Sequence, residues 1–347
     1  MSRSYPQVTF HTHTLGKVCA PGLIHSRFDI QNFHYANRID LYTLFEAQTT
    51  PHRALFVDVG FYEFCGTSAL DYALCTYGVS WNNARAFITH FHEDHDGNLT
   101  YCVKKGLSEI NHGPLIFYSD QRRDLFLLRT GLKQTEGACV YPGTEFIMGK
   151  NHFSPEVRER MRMLANHDHI VMGDYNLEVL YTPGHAPEHA CLLDRSKHIL
   201  FAGDHILDAA PGHMQLYPNA HTLKHFLDNL QTLKTLNLEH IYMSHTDALQ
   251  GTQTINSFID RIIESYEVQL YRMQELLRDL SITHTEVSAY EVAVAHYAHH
   301  PGGLKAQSDF MRMRRTAIIY AYLDYLVDTG FLISRIREDG ACAYRCA

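Results

Sequence analysis

Apolar and polar residues alternate in short runs through the first part of the chain. Residues 7–10, 24–30, 39–46 and 54–59 are predicted strands on this spacing. A helix is predicted over 68–77, entered through Cys65-Gly66-Thr67-Ser68, then a strand over 84–89, a helix over 99–105 and a strand over 114–119. Residues 120–170 are less regular. Helical spacing covers 120–129 and 154–165, Ser154-Pro155 puts proline at the first helical position, and Tyr141-Pro142-Gly143 marks a turn between them. The segment exceeds an ordinary connection between core elements, which predicts an insertion, either a lid or a packing hairpin.

A second strand series is predicted at 177–181, 190–194 and 198–202. The helix that follows, 222–236, lines up Leu223, Phe226, Leu227, Leu230 and Leu233 on one face. The intervening loop, 206–221, carries Pro211-Gly212-His213-Met214 and Tyr217-Pro218. A long helix is predicted over 255–280. A distinct tail comes next: helix 285–299, a break at Pro301-Gly302-Gly303, helix 309–328 closed by Thr329-Gly330, and a hairpin from 331–337 and 341–346. The expected division is a main domain over 1–280, with 120–170 as its insertion, and a small domain over 281–347.

Composition narrows the class. The chain has 347 residues, 45% hydrophobic and 20% charged, which suits a globular protein with a sizeable core. Its net charge of −8 does not favour a nucleic-acid partner. The eight cysteines form no CxxC pair and several sit in apolar runs. With no apolar leader and no run able to span a bilayer, the expected setting is a reducing cytoplasm without membrane association. Cys342 and Cys346 are expected to be the most exposed thiols.

The chemistry is concentrated in His90-Phe91-His92-Glu93-Asp94-His95, directly after the apolar stretch Ala86-Phe87-Ile88. Imidazole nitrogen and carboxylate oxygen are the donors that divalent metals such as Zn²⁺ take. Further candidate ligands also end predicted strands: His185 in Thr182-Pro183-Gly184-His185, Asp204 in Phe201-Ala202-Gly203-Asp204, and His245 in Ile241-Tyr242-Met243-Ser244-His245. The chain holds 25 histidines, so a chance cluster must be weighed. The ordered downstream partners are what chance would not supply. Histidines outside the set, such as His112, His167, His169 and His198, are expected as solvated or capping groups.

The HxHxDH run, the TPGH turn, the Gly-Asp step and the late strand-end histidine together resemble the metallo-β-lactamase superfamily, over residues 8–275. The resemblance implies an α+β fold, an αββα sandwich with two divalent metals at one edge. It assigns His90, His92 and His185 to the first metal, Asp94, His95 and His245 to the second, and Asp204 to both. It further implies a hydrolase whose nucleophile is a metal-bridging hydroxide, with Asp94 and Asp204 in the catalytic set. Asp58, in Val57-Asp58-Val59-Gly60, is implied to orient a ligand histidine. His189 and His205 neighbour ligands in sequence and are read as pocket-lining or proton-donating groups, against the plainer reading of structural hydrogen bonds. His213 and Tyr217 are the candidate substrate contacts. Glu93 is not a ligand in the family pattern, and histidine rather than glutamate at position 92 argues against a diiron redox role. Zn²⁺ is the expected ion, and this donor set also accepts Fe²⁺ or Mn²⁺.

The tail's order of helix, helix and hairpin resembles a winged-helix module. Such a module is carried by the branch related to the mammalian β-lactamase-like protein 2 and to glyoxalase II, with which the Gly-His-x-Pro-Glu-His turn agrees. Asp309, Asp324, Asp328, Glu338 and Asp339 offset its basic residues, so packing beside the site is expected rather than nucleic-acid binding. The leading expectation is therefore hydrolysis of a small-molecule ester, thioester or lactone. A metal-dependent phosphodiesterase or ribonuclease is the second, and a non-hydrolytic iron oxidoreductase or ligand-binding regulator the third. A homodimer is compatible with such folds.

Overall fold

The computed structural model describes residues 9–31, 38–46, 52–61, 66–115, 120–132, 153–207 and 220–347. Strands β1 (Thr9–Ala20), β2 (Leu23–Gln31), β3 (Arg38–Glu46) and β4 (Arg53–Val57) form an antiparallel ladder. Helix α1 (Gly66–Tyr77) then crosses over, so β5 (Ala84–Ile88) pairs parallel to β4. Helices α2 (Glu93–Asp96) and α3 (Leu99–Lys105) lead to β6 (Glu109–His112), again parallel. After α4 (Asp120–Thr130) and α5 (Pro155–Arg160), β7 (Met161–Met163) closes the first sheet in the order β1 to β7.

The second sheet holds β8 (His169–Met172), β9 (Tyr175–Tyr181), β10 (Ala190–Asp194) and β11 (Ile199–Gly203). Helix α6 (Thr222–Lys234) crosses over to β12 (His240–Met243), which lies parallel to β11, and β13 (Leu249–Gln250) forms the edge. Helix α7 (Thr252–Ser281) follows, then α8 (Ala289–His296), α9 (Asp309–Asp328) and the hairpin of β14 (Leu332–Ile336) and β15 (Cys342–Cys346).

Period-two alternation explains the layering. On β4, Leu55 and Val57 point between the sheets and meet Leu177, Val179, Leu192 and Phe201. Ala54 and Phe56 point the other way, onto Leu70, Leu74, Leu99 and Cys102 of α1 and α3. On β10, Ala190 and Leu192 face inward, while Cys191 and Leu193 face the helices α6 and α7. Central strands that are apolar on both faces require cover on both faces, and the result is the expected αββα sandwich. Each fully buried Leu or Phe in these layers stabilises the fold by ~1.5–3 kcal/mol.

The tail joins the outer layer. Met313, Ala317, Tyr320, Leu323 and Leu326 of α9 lie in one apolar cluster with Phe226 and Leu230 of α6 and Tyr266 of α7. Segment α4 is fastened to it as well, since Arg129 donates to the Gly340 carbonyl at 2.6 Å.

Several sequence expectations are corrected. Strand β6 at Glu109–His112, with Ile110, Asn111 and His112 buried, is not among the elements predicted from the sequence. Of the strand expected at 114–119, Pro114 and Leu115 are described, without regular structure, and residues 116–119 lie outside the described residues. The helix expected over 154–165 stops at Arg160. Pairing of Met161–Met163 with β6 overrides helical propensity there. The helix expected from 285 begins at Ala289, where Ser288 and Glu291 form a capping box. The preceding Val287 pairs instead with Tyr344 through two backbone bonds of 3.0 and 2.8 Å. Cys342 and Cys346 are half-buried, whereas Cys19 and Cys75 are exposed. His112, expected in solvent, is buried and its Nδ1 donates to the Gly113 carbonyl at 2.6 Å.

Candidate metal centre

Parallel strands β4 and β5 end side by side, and the Asp58 N–H donates to the Phe87 carbonyl at 2.9 Å. Asp58 takes a left-handed conformation, φ 59°, which turns its carboxylate under the neighbouring strand end. There it accepts from the Thr89 N–H at 2.8 Å, from Thr89 Oγ1 at 2.9 Å and from His95 Nδ1 at 2.8 Å. A carboxylate only accepts, so His95 holds a proton on Nδ1 and turns Nε2 toward the site. Thr89 spends its own proton on Asp58 and so accepts from His90 Nδ1 at 3.1 Å, which turns His90 Nε2 the same way. On the opposite side His245 Nδ1 donates to the Arg38 carbonyl at 2.6 Å, turning a third Nε2 inward. The turn bearing His245 is pinned to β3 by the Asp40 N–H, which donates to the Ser244 carbonyl at 2.8 Å.

These nitrogens converge in two groups that share Asp204. His92 Nδ1 lies 2.8 Å from His90 Nε2 and 3.1 Å from His185 Nε2, and Asp204 Oδ2 lies 3.5 Å from His185 Nε2. Asp204 Oδ1 lies 3.3 Å from His95 Nε2 and 3.2 Å from His245 Nε2, and Asp94 Oδ2 lies 3.2 Å from His245 Nε2. Within each group every donor atom is within 4.8 Å of the others. The structure thus brings together all seven residues singled out in the sequence.

The donor set fits divalent metal. His95 Nε2 and Asp204 Oδ1 are buried with no hydrogen-bond partner among the described residues. They are 3.3 Å apart, and Asp204, Asp58 and Asp94 hold the His95 ring well above its ordinary range against the cost of burial, so the site draws positive charge to this point. Around His92, a single proton could satisfy only one of the two close imidazole contacts. Imidazole nitrogens that converge in a buried space beside carboxylates suit a cation.

The electrostatics agree. Burial favours the neutral form of His185 and pushes it down to about 3. Burial also opposes charge on His245, yet Asp204 and Asp94 outweigh it and push the ring up to about 10, so without a metal Nε2 also holds a proton, which a bound cation would displace. For Asp204 the cost of burying its charge is overcome by His245 and His95, which hold the carboxyl well below its ordinary range. The carboxylates of Asp204 and Asp94 thus draw positive charge into the space between the imidazoles. His90, His95 and His189 seal the floor, while His92, Asp94, His185 and His245 are partly exposed and mark the open side.

The other expected residues fall as follows. His189 is fully buried, with Nδ1 2.8 Å from Thr182 Oγ1 and Nε2 accepting from the Asp204 N–H at 3.2 Å. His205 is also fully buried and has no hydrogen-bond partner among the described residues. Burial pushes it down to about 3, and its ring meets Phe226 edge-on. Glu93 opens α2. His213 and Tyr217 lie outside the described residues. Sequence reasoning missed Thr89, Thr182 and the Arg38 carbonyl, the groups that orient the imidazoles. Thr89 carries a signal, a hydroxyl directly before the first ligand; the Arg38 carbonyl carries none.

Known proteins are similar to this chain in sequence and in fold. Residues 85–245 match the metallo-beta-lactamase superfamily. The acyl-coenzyme A thioesterase MBLAC2 of Gallus gallus is 31% identical over 125 residues, 36% of this chain and 42% of that protein. The beta-lactamase-like protein 2 homolog of Caenorhabditis elegans is 24% identical over 147 residues, 42% of this chain and 45% of that protein. The matched stretch thus spans less than half the length of either relative. Among solved structures, a beta-lactamase domain protein from Burkholderia ambifaria superposes with TM-score 0.68 at 18% identity, covering 96% of this chain and 95% of that one. A metallo-beta-lactamase family protein from Thermus thermophilus gives 0.63 at 20% identity, covering 95% and 100%. At such identities the likeness establishes the fold, and it extends over the tail. Residues 85–245 are thus the stretch that matches a metallo-beta-lactamase superfamily domain, that stretch contains all seven candidate ligands, and the solved structures share the fold.

Proposed function

We propose that the protein is a dinuclear metal-dependent hydrolase of a small acyl thioester, with simple esters and lactones as its nearest alternative substrates. His90, His92 and His185 would hold one ion, Asp94, His95 and His245 the other, and Asp204 would reach both, one oxygen to each. The observation that carries the reading is the fixed orientation of three candidate ligands. Asp58, Thr89 and the Arg38 carbonyl hold the Nδ1 protons of His95, His90 and His245, so each ring turns Nε2 toward the metal positions. A bound divalent pair would acidify water near neutral pH and polarise the scissile carbonyl. Zinc is the first candidate for both positions.

The protein groups would contribute orientation and exclusion of water from the floor, where His90, His95 and His189 are buried. Neither buried histidine beside Asp204 reaches the open side, which bears on substrate choice. A thiolate, with a parent pKa of about 8.5, departs without a general acid, whereas an alkoxide needs one. The thioesterase name of the Gallus gallus relative points the same way. Residues 281–347 are read as a small module that packs beside the sandwich and shapes its outer layer. No helix among the described residues is long and apolar enough to cross a membrane.

The test is turnover of an acyl-coenzyme A thioester against bis(p-nitrophenyl) phosphate by metal-analysed protein under identical conditions. Thioester cleavage that disappears on chelation and returns with Zn²⁺ is expected. Preferential cleavage of the phosphodiester would replace this reading with a phosphodiesterase.

A further inference from the structure

Five polar groups beneath the candidate centre form a chain of four hydrogen bonds that begins and ends on one turn. The Asp204 N–H lies 3.2 Å from His189 Nε2. His189 Nδ1 lies 2.8 Å from Thr182 Oγ1. Thr182 Oγ1 lies 3.2 Å from Cys191 Sγ, and Cys191 Sγ lies 3.6 Å from the Ala202 carbonyl oxygen. All three side chains are buried.

The direction of this chain is forced at both ends. A backbone N–H can only donate and a backbone carbonyl can only accept. His189 must therefore offer a lone pair at Nε2 and carry its proton on Nδ1. Thr182 then accepts from His189 and gives its own proton to Cys191, whose S–H goes to Ala202. One proton serves each link and none is left over, so the imidazole tautomer, the hydroxyl rotor and the thiol rotor are all specified together.

Both ends belong to Ala202-Gly203-Asp204, where β11 stops and the chain turns with Gly203 at φ 50°. The turn has no room to shift. A Cβ on Gly203 would lie 2.7 Å from Thr89 Oγ1 and 2.9 Å from His189 Nε2. The middle of the chain is tied to a second ligand turn, because Thr182 opens Thr182-Pro183-Gly184-His185 and its N–H donates to the His189 carbonyl at 2.9 Å.

We infer that His189, Thr182 and Cys191 are positioning residues, a one-way hydrogen-bond relay that sets the Asp204 turn against the His185 turn and so fixes the spacing of the two metal positions. The inference rests on Asp204 and His185 being ligands, as proposed above. Nothing in the relay touches substrate. Its effect is on metal affinity and coordination geometry.

The test separates hydrogen bonding from packing by paired variants of the whole protein. Thr182→Val keeps the shape and removes the hydroxyl, leaving His189 Nδ1–H and Cys191 without their partner. Thr182→Ser keeps the hydroxyl and removes a methyl group. Metal affinity is measured by chelator competition, and coordination by the visible absorption of the Co²⁺-loaded protein. Thr182→Val is expected to weaken at least one metal position by about 10–100-fold and to alter the Co²⁺ bands. Thr182→Ser should remain within about threefold of wild type with unchanged bands. Equal behaviour of the two variants, or greater loss in the serine variant, would overturn the inference in favour of packing. A measurement on the unaltered, metal-free protein stands beside these: the ¹⁵N chemical shifts of His189 should report a protonated Nδ1 and a bare Nε2, and the opposite tautomer also overturns the relay. If wild-type protein binds no metal, or Asp204→Ala binds as much as wild type, the metal reading fails. In that case the inferred role in metal spacing fails with it, while the His189 tautomer still reports whether the hydrogen-bond chain exists.

Discussion

Glu188 is a carboxyl that the fold buries under the ligand loop, and it offers a quantitative check on the electrostatics. It is 7% exposed, and its Oε1 faces the Phe91 N–H at 3.4 Å, between the strand-end ligands His90 and His92. Burial pushes its carboxyl from the ordinary 4.5 up to about 7, against smaller opposing bonds from its own backbone and that of Phe91. A folded-state value above the unfolded one means that the folded protein binds the extra proton. This contribution is fully present below pH 4.5 and is lost as pH rises through about 7. The gap, at ~1.36 kcal/mol per pKa unit, makes the ionised side chain destabilising by roughly 3 kcal/mol above pH 8. Glu188→Gln removes the ionisation while keeping an oxygen for the Phe91 N–H. The amide introduces a second buried N–H whose cost does not depend on pH, so the informative quantity is the difference between variant and wild type followed across pH. In denaturant titrations at fixed metal concentration, that difference should move in favour of the glutamine variant by about 3 kcal/mol between pH 5 and pH 8.5. A difference that stays flat would show that Glu188 ionises as freely in the folded protein as in the unfolded chain, and the burial argument would be wrong.

Asp58→Asn should lower metal affinity about 10–100-fold, because an amide cannot accept from the Thr89 N–H, the Thr89 hydroxyl and His95 together; unchanged binding in chelator competition would remove Asp58 from the ligand-orienting role. Gly203→Ala combines a left-handed backbone with a Cβ 2.7 Å from Thr89 Oγ1, so it should destabilise by at least ~1–2 kcal/mol and bind less metal, a result read from thermal melting and elemental analysis. Leu323→Ala, at a fully buried position of α9, should cost ~3–5 kcal/mol. Because Leu323 shares its cluster with Phe226 and Tyr266, the loss should appear in one cooperative transition, and a separate early transition of the tail would show that the tail unfolds alone.

The candidate ligands were legible because chemistry interrupts pattern at each of them. His90, Asp204 and His245 all follow a strand whose apolar run stops just before them, and a strand end is where a side chain can leave the sheet and meet others. Asp58 was legible for the same reason. What orients these residues was harder to read. The Arg38 carbonyl that holds His245 belongs to a strand 207 positions away, and a backbone carbonyl has no sequence signature. Edge strand β7 was hidden because Met161–Met163 continues a good helical pattern, and only the open edge of β6 makes a strand the better use of it. Val287 and Tyr344 pair across the tail for a similar reason, since a bridge between distant residues leaves no periodic trace.

The outer helical layer bears on the ligand turns by direct contact, which links the tail to the chemistry. Tyr322 of α9 lies near Tyr266 of α7, and Tyr266 meets Phe226 of α6 edge-on, with ring centroids 6.4 and 5.6 Å apart. Phe226 in turn sits where a Cβ on Gly184 would come within 2.8 Å, so glycine is required beside His185 both for its φ of 151° and for this close approach. The same helix donates from Asn229 Nδ2 to the Pro183 carbonyl at 3.0 Å. The His185 turn is therefore gripped from outside by α6 and from inside by Thr182 and His189. A close-packed interior transmits displacement because it has no void to absorb one. Repacking of α9 against α7 and α6 would thus shift the turn that carries His185, while His90 and His95, held by Asp58 on the other sheet, would stay in place. The two sheets deliver separate parts of the candidate donor set, joined directly by the Asp40–Ser244 and His245–Arg38 bonds, and only the His185 turn is also gripped by the outer helix α6.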